Sequence, residues 1–195
     1  PELAVQRIVD MTGKQASEIK VLYITTPQNT YSKAAPWIIE SRQGLEKTGF
    51  QIQEYDLEGV DEKSVRAQVE DSDIVWVSGG NTFYFLYWAE KVNLKTILQG
   101  FLNRGGVYAG ESAGVVCQIK DLEPIKWSDN PDKAPEIVKE GMQLTDVVAL
   151  PHWGNGKYFD VMNKIKTYYE NKGIKLYLLK DGEALIIEND KVEQI

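Results

Sequence analysis

The chain is poor in the residues that the most demanding sites require. Its 195 residues include one cysteine, Cys117, and one histidine, His152. A single cysteine excludes an intramolecular disulfide, and with it a disulfide-stapled secreted fold. A single histidine excludes every zinc site built on two or more histidines. Any imidazole chemistry has to use His152. Positive charge is also scarce, with Lys+Arg 22 against Asp+Glu 29 and a net charge of −7. Such a surface repels phosphate backbones, and nucleic acid is not an expected partner. No apolar run approaches the ~18 residues that span a bilayer. The first residues, Pro1 to Arg7, lack a basic segment followed by an apolar stretch, so no signal peptide is visible. The expectation is a soluble, cytoplasmic protein without a membrane partner, either a monomer or a homodimer.

What is present is ordinary globular composition, 43% hydrophobic and 26% charged, without repeats or low-complexity tracts. That length suits one domain with a continuous core, and residues 1–195 are read as a single α/β domain. Leu3, Val5, Ile8, Val9 and Met11 predict a first helix that stops near Gly13. Short apolar runs at residues 21–24, 74–77, 107–109 and 147–150 predict buried strands, and residues 50–55 alternate as another. Helices are expected over 34–48, about 61–70, 82–91, 94–103 and 157–171. Residues 117–142 carry Pro124, Pro131 and Pro135 with mixed charge and predict an irregular excursion over the surface. Near the end, residues 176–179 and 184–187 flank Asp181-Gly182, which predicts a hairpin turn, with a last strand stub at Val192.

Strands alternating with helices imply a mostly parallel sheet covered by helices on both faces, a three-layer sandwich. Ligands in such sheets bind at the carboxyl ends of the strands. Three unusual segments leave strand ends here: Gly79-Gly80-Asn81, Gly110-Glu111-Ser112-Ala113-Gly114 and Pro151-His152.

The second segment has the glycine, any residue, serine, any residue, glycine pattern of a nucleophile on a sharp strand-to-helix turn, where small flanking residues let the turn close. A serine hydroxyl needs a base to take its proton, and His152 at a neighbouring strand end is the available imidazole. The third member would be a carboxylate that orients the ring. Asp129, in Ser128-Asp129-Asn130-Pro131, and Asp181, in the late turn, both fit, and spacing does not choose between them. The amides of Gly80 and Ala113 would bind an oxyanion, and Asn81 would cap the following helix or bind a substrate group. Cys117 reads as a small buried hydrophobe. Trp76, Phe83, Phe85, Leu86 and Trp88 read as core.

With these pieces assembled, the chain resembles the peptidase E and cyanophycinase family of serine peptidases, which includes aspartyl dipeptidases. The likeness covers roughly residues 20–190. It rests on Gly79-Gly80-Asn81-Thr82-Phe83, the run from Gly105 to Gly114, Pro151-His152 and Asp181-Gly182, in that order. The resemblance implies a class I glutamine amidotransferase-like fold with serine where amidotransferases carry cysteine. It also implies a serine peptidase that hydrolyses short peptides through an acyl-enzyme and requires no metal or other cofactor. Transferred by motif, Ser112 is the nucleophile, His152 the base, and Gly80 and Ala113 flank the oxyanion. Asp129 is placed first as the acid, with Asp181 kept as the alternative.

Two departures stand out. Family members normally begin with a strand before the first helix, and this sequence begins at the helix. The aspartyl dipeptidases resemble one another in an arginine-bearing segment after the histidine loop. Here Gly154-Asn155-Gly156-Lys157-Tyr158-Phe159 holds no arginine, and Lys157 is the only nearby cation, so aspartyl specificity does not carry over. The competing readings are an α/β-hydrolase-type esterase and a non-catalytic binding or scaffold member of the same fold.

Overall fold

The protein is described by a computed structural model covering residues 2–189 and 191–195. Its largest sheet has four parallel strands in the order β2-β1-β3-β4, with β1 at Lys20–Ile24, β2 at Gln51–Tyr55, β3 at Ile74–Val77 and β4 at Val107–Gly110. Parallel neighbours need crossovers, and the intervening chain supplies them as helices. These are α2 (Pro36–Glu46), α3 (Glu62–Glu70), and the pair α4 (Thr82–Lys91) and α5 (Leu94–Asn103). Local chemistry marks their starts. Pro36 opens α2, the Asp61 carboxylate accepts the Ser64 amide ahead of α3, and the Asn81 side chain accepts the Tyr84 amide ahead of α4.

The period-two alternation of the strands sends successive side chains to opposite faces. On one face Leu22, Ile24, Val75 and Val77 join a core built with residues of α3, α4 and α5 and of α7 (Phe159–Asn171). On the other, Val21, Ile74 and Val107 pack with Ile8 of α1 (Glu2–Thr12). The α/β class and the two covered faces agree with the sequence reading. Phe83, Phe85 and Leu86 lie in the core as expected, with Trp88 packed against it.

Two expectations need correction. Residues 117–142 contain short 3₁₀ turns but are not a surface excursion, because Ile119, Leu122, Ile125, Ala134, Val138 and Met142 are buried in the main core. Their apolar residues follow no helical or strand period, so the pattern is not visible in sequence although the burial is large.

The Asp181-Gly182 turn does not join a hairpin. The strand before it, β6 (Leu176–Leu178), pairs in parallel with β5 (Val148–Leu150). The true hairpin lies further on, where β7 (Leu185–Glu188) pairs antiparallel with β8 (Lys191–Gln194), and Asn189 after β7 adopts φ 53°. Asp-Gly signals a turn, but long-range pairing decided which strands met. Among the described residues no helix is long and apolar enough to cross a membrane.

Candidate active site

Ser112 stands between β4 and the single-turn helix α6 (Ala113–Val116), with φ 49° and ψ −105°. A positive φ at a serine is strained backbone, held only where the surroundings over-determine it. The restraints are present. The Ser112 carbonyl accepts the amides of Val115 and Val116, and the Glu111 amide donates to Val77 at the end of β3. Tyr108 of β4 donates its hydroxyl to the Gly114 carbonyl at 2.6 Å. Gly110 and Gly114 face each other so closely that a Cβ on Gly110 would strike the Gly114 carbonyl. The two glycines of the motif therefore answer a packing need at the turn.

Below the serine lies a polar network that the sequence reading missed. Both oxygens of Glu111 accept the Ser41 hydroxyl from α2, at 2.7 and 2.8 Å, and one also accepts the Tyr23 hydroxyl from β1 at 3.1 Å. Gln28 in turn donates to the Tyr23 oxygen. Burial pushes the Glu111 carboxyl above its ordinary range, against the lowering influence of these donors. The residue before the nucleophile is thus tied to two other elements. A cleft of about 510 Å³ lies beside the network, lined by Tyr23, Gln28, Arg42 and Asp56 among others, and does not include Ser112. Among the described residues, no nucleophile with a partnered base lines that cleft.

His152 follows β5 by two residues and also has a positive φ, 62°. Its loop is held by the Trp153 amide on the Leu179 carbonyl and the Asn155 amide on the His152 carbonyl. The ring of Tyr158 stacks on the imidazole, centroids 5.0 Å apart. Nε2 of His152 lies 3.0 Å from Ser112 Oγ, and Nδ1 lies 2.7 Å from Asp181 Oδ1. The other Asp181 oxygen accepts the Asn155 side-chain amide at 2.7 Å. That amide first, and then the contacts with His152, hold the Asp181 carboxyl below its ordinary range, so it is an acceptor at neutral pH. An ionised carboxylate can only accept. Nδ1 therefore carries the hydrogen, and the Nε2 lone pair is left to accept from the Ser112 hydroxyl.

Of the two candidate acids, the structure puts Asp181 against the imidazole. The reason is topological: β5 and β6 are parallel with Leu150 opposite Leu178, so the loops leaving both strands emerge side by side. Asp129 is used differently. Its Oδ2 accepts the Thr82 amide in the first turn of α4 at 2.8 Å. It is close enough to His152 for their charges to interact, yet burial dominates and pushes its pKa up.

Asn81 caps α4, as one of its two readings anticipated, and its side-chain amide donates to the Asn130 carbonyl, pinning the loop that carries Asp129. Gly80 has φ 139°, and a Cβ there would collide with the Pro27 carbonyl, so only glycine fits. The Asn81 amide donates to that same carbonyl at 2.8 Å. Among the described residues the amides of Gly80 and Ala113 have no acceptor. A Cβ on Gly79 would lie 3.4 Å from Ser112 Cβ and 3.6 Å from the Trp37 ring, which brings the glycine loop and an indole to the serine.

Cys117 is fully buried, and burial pushes its thiol up to about 12, which leaves it inert as a nucleophile. Among the described residues no group of three or more His, Cys, Asp or Glu side chains is arranged to hold a metal ion. Asn155, Tyr158, Trp37 and Glu111 went unassigned in the sequence. Only Asn155 carried a usable signal, by its place in the tight loop after His152.

Comparison with known proteins identifies the family. The profile of Peptidase family S51 matches residues 2–195. An uncharacterized peptidase of Listeria innocua is 27% identical over 173 residues, 88% of this chain and 82% of that protein. Peptidase E of Haemophilus influenzae is 28% identical over 133 residues, 65% of this chain and 60% of that protein. Among solved structures, a peptidase E-type protein of Listeria monocytogenes superimposes with a TM-score of 0.86 at 23% identity, covering 98% of this chain and 92% of that one. The two chains share one fold, a parallel sheet covered by helices. The chain is therefore a serine-type peptidase belonging to Peptidase family S51.

Proposed function

We propose that the protein hydrolyses amide bonds of short peptides through an acyl-enzyme on Ser112. The observation that carries this reading is the hydrogen-bonded series Ser112–His152–Asp181, with separations of 3.0 and 2.7 Å. A non-catalytic relative would have no need to hold a serine and a histidine both at positive φ and in mutual contact.

In this mechanism His152 Nε2 takes the Ser112 proton as Oγ attacks the carbonyl carbon. The Gly80 and Ala113 amides receive the oxygen as it becomes negative, a role suited to donors that have no other acceptor. Asp181 keeps the Nδ1 hydrogen in place and offsets the charge that the ring gains. The imidazolium then gives its proton to the leaving amine. Water, deprotonated by the same nitrogen, attacks the ester and frees the acid and Ser112. No metal or cofactor takes part in these steps.

The test is covalent labelling of the serine by a fluorophosphonate probe, run beside dipeptide turnover. Wild type should label and turn over, while Ser112→Ala should do neither at unchanged thermal stability. Equal labelling of both forms would remove Ser112 from the mechanism.

A further inference from the structure

The reacting pair is flanked by aromatic rings that no catalytic step uses. On the serine side stands Trp37 of α2. Gly79 adjoins both groups, since a Cβ on it would lie in ordinary contact with each, 3.4 Å from Ser112 Cβ and 3.6 Å from the Trp37 ring. The indole edge is therefore within about 7 Å of Ser112 Cβ, two contact distances with a methyl group's width between them. Unlike Gly80, Gly79 has no positive φ and no collision awaiting a side chain, so the backbone does not demand glycine here. What the missing side chain provides is room between the ring and the nucleophile. Tyr31 meets Trp37 edge to face, centroids 5.4 Å apart, and braces the indole. On the histidine side, Tyr158 stacks on the imidazole. Trp37 is 37% and Tyr31 43% exposed, and among the described residues neither ring joins the buried core. Tryptophan is on average highly buried, which makes this exposure beside a nucleophile informative.

Aromatic side chains are the common lining of sites that take small molecules, because covering them removes apolar area from water. Position decides what would cover these two. A carbonyl carbon poised for attack stands about 3–3.5 Å from the serine oxygen. The side chains of the two residues joined by that bond begin two or three covalent bonds further out, at about 1.5 Å for each bond. A benzyl or isobutyl group there spans the distance to the indole edge, while a methyl group covers little of it. Ring against ring adds the edge-to-face or offset contacts that aromatic pairs prefer.

Resting on the reading of Ser112 as the attacking group, we propose that Trp37, braced by Tyr31, forms an apolar subsite for a large side chain next to the scissile bond. The substrate class is then a short peptide with an aromatic or large aliphatic residue on one side of that bond. Trp37 determines specificity and takes no part in proton transfer, so its contribution is read mainly in KM.

The test compares kcat/KM for Phe-Ala, Ala-Phe and Ala-Ala within each protein, so that any difference in folded fraction cancels from the ratios. In wild type, Phe-Ala or Ala-Phe should exceed Ala-Ala by at least about tenfold, mainly through a lower KM. The peptide that does so names the side: Phe-Ala assigns the subsite to the residue donating the carbonyl, and Ala-Phe to the residue leaving as the amine. Trp37→Ala should bring the ratio close to one, and Trp37→Phe, which keeps a ring, should retain most of the advantage. Wild-type turnover of Ala-Ala as efficient as that of both phenylalanine peptides would overturn the proposal. So would a ratio that survives Trp37→Ala, or a loss in Trp37→Phe as complete as in Trp37→Ala. Turnover of none of the three by a wild type that labels with fluorophosphonate would overturn it as well. Failure of wild type to label would instead overturn the reading of Ser112, on which the subsite rests.

Discussion

Two loops bring a carboxylate to the same imidazole region, and they treat it in opposite ways. The late turn after β6 leaves Asp181 largely exposed, yet joins it to His152 and Asn155 and holds its pKa below the ordinary range. The loop over 123–133 leaves Asp129 half-buried against the Thr82 amide, and desolvation pushes its pKa up. The first acid has its partners already and is ionised because of them. The second is held by Thr82 and feels the charge of His152, yet desolvation outweighs both. Proximity to a histidine is therefore a poor guide to a carboxylate's role, and the hydrogen bonds it already makes are a better one.

Substitutions at the two loops should separate along these lines. His152→Ala removes the sole base and should lower kcat by about 10⁶, in the range found when one member of such a unit is lost. Asp181→Asn keeps the shape but supplies a donor where Nδ1–H needs an acceptor. It should lower kcat by about 10⁴ with KM little changed, as measured by steady-state dipeptide hydrolysis. A loss below tenfold would mean that the ring is oriented by its loop and by Tyr158 alone. Asp129→Asn keeps an acceptor for the Thr82 amide and alters no hydrogen bond to His152 among the described residues, so it should lower kcat by less than tenfold in the same assay. A fall in kcat matching that of Asp181→Asn would erase the distinction between the two acids.

Stability should respond to pH with opposite signs at the two positions. The Asp181 pKa is lowered by folding, so its contribution is full above the ordinary carboxylate range of about 4 and is lost as pH falls through the folded value. Asp181→Asn should therefore lower Tm at pH 7, with the deficit closing in acid. The Asp129 pKa is raised by folding, so its charge costs stability at every pH above the folded value, and the cost disappears below about 4. Asp129→Asn should raise Tm at pH 7, by about 2–4 °C for each kcal/mol of strain relieved, with the gain vanishing in acid. Calorimetric melts of both variants across pH 3–8 check the pair, and shifts of the same sign would contradict the assignment. Glu111→Gln, which retains acceptor oxygen for Ser41 and Tyr23, should cost the least activity of these changes, whereas Glu111→Ala should lower kcat by releasing the strained turn.

Much of this arrangement was legible in the chain. The buried runs at 74–77 and 107–109 and the helices at 82–91 and 94–103 lie within a residue of the observed elements, because an unbroken apolar run or a capped amphipathic stretch has one cheap solution. Ser112 and His152 drew notice in the sequence through the glycine–serine–glycine pattern and the single imidazole, and the structure brings the two side chains together. The choice between Asp129 and Asp181 was not legible. Both occupy turn-forming sequence, and what separates them is the parallel pairing of β5 with β6, a contact between segments almost thirty residues apart. The same pairing dissolved the hairpin expected at Asp181-Gly182. The network under the serine was illegible for a related reason, since Tyr23, Ser41 and Glu111 meet only after three elements have packed.

The central claim is that Asp181 activates His152 and Asp129 does not. Its most direct test is the rate of fluorophosphonate labelling of Ser112 in Asp181→Asn beside Asp129→Asn, because the probe reports the nucleophile without a peptide to recognise. Asp181→Asn should lose at least a hundredfold more labelling rate than Asp129→Asn. A larger loss in Asp129→Asn than in Asp181→Asn would contradict the account.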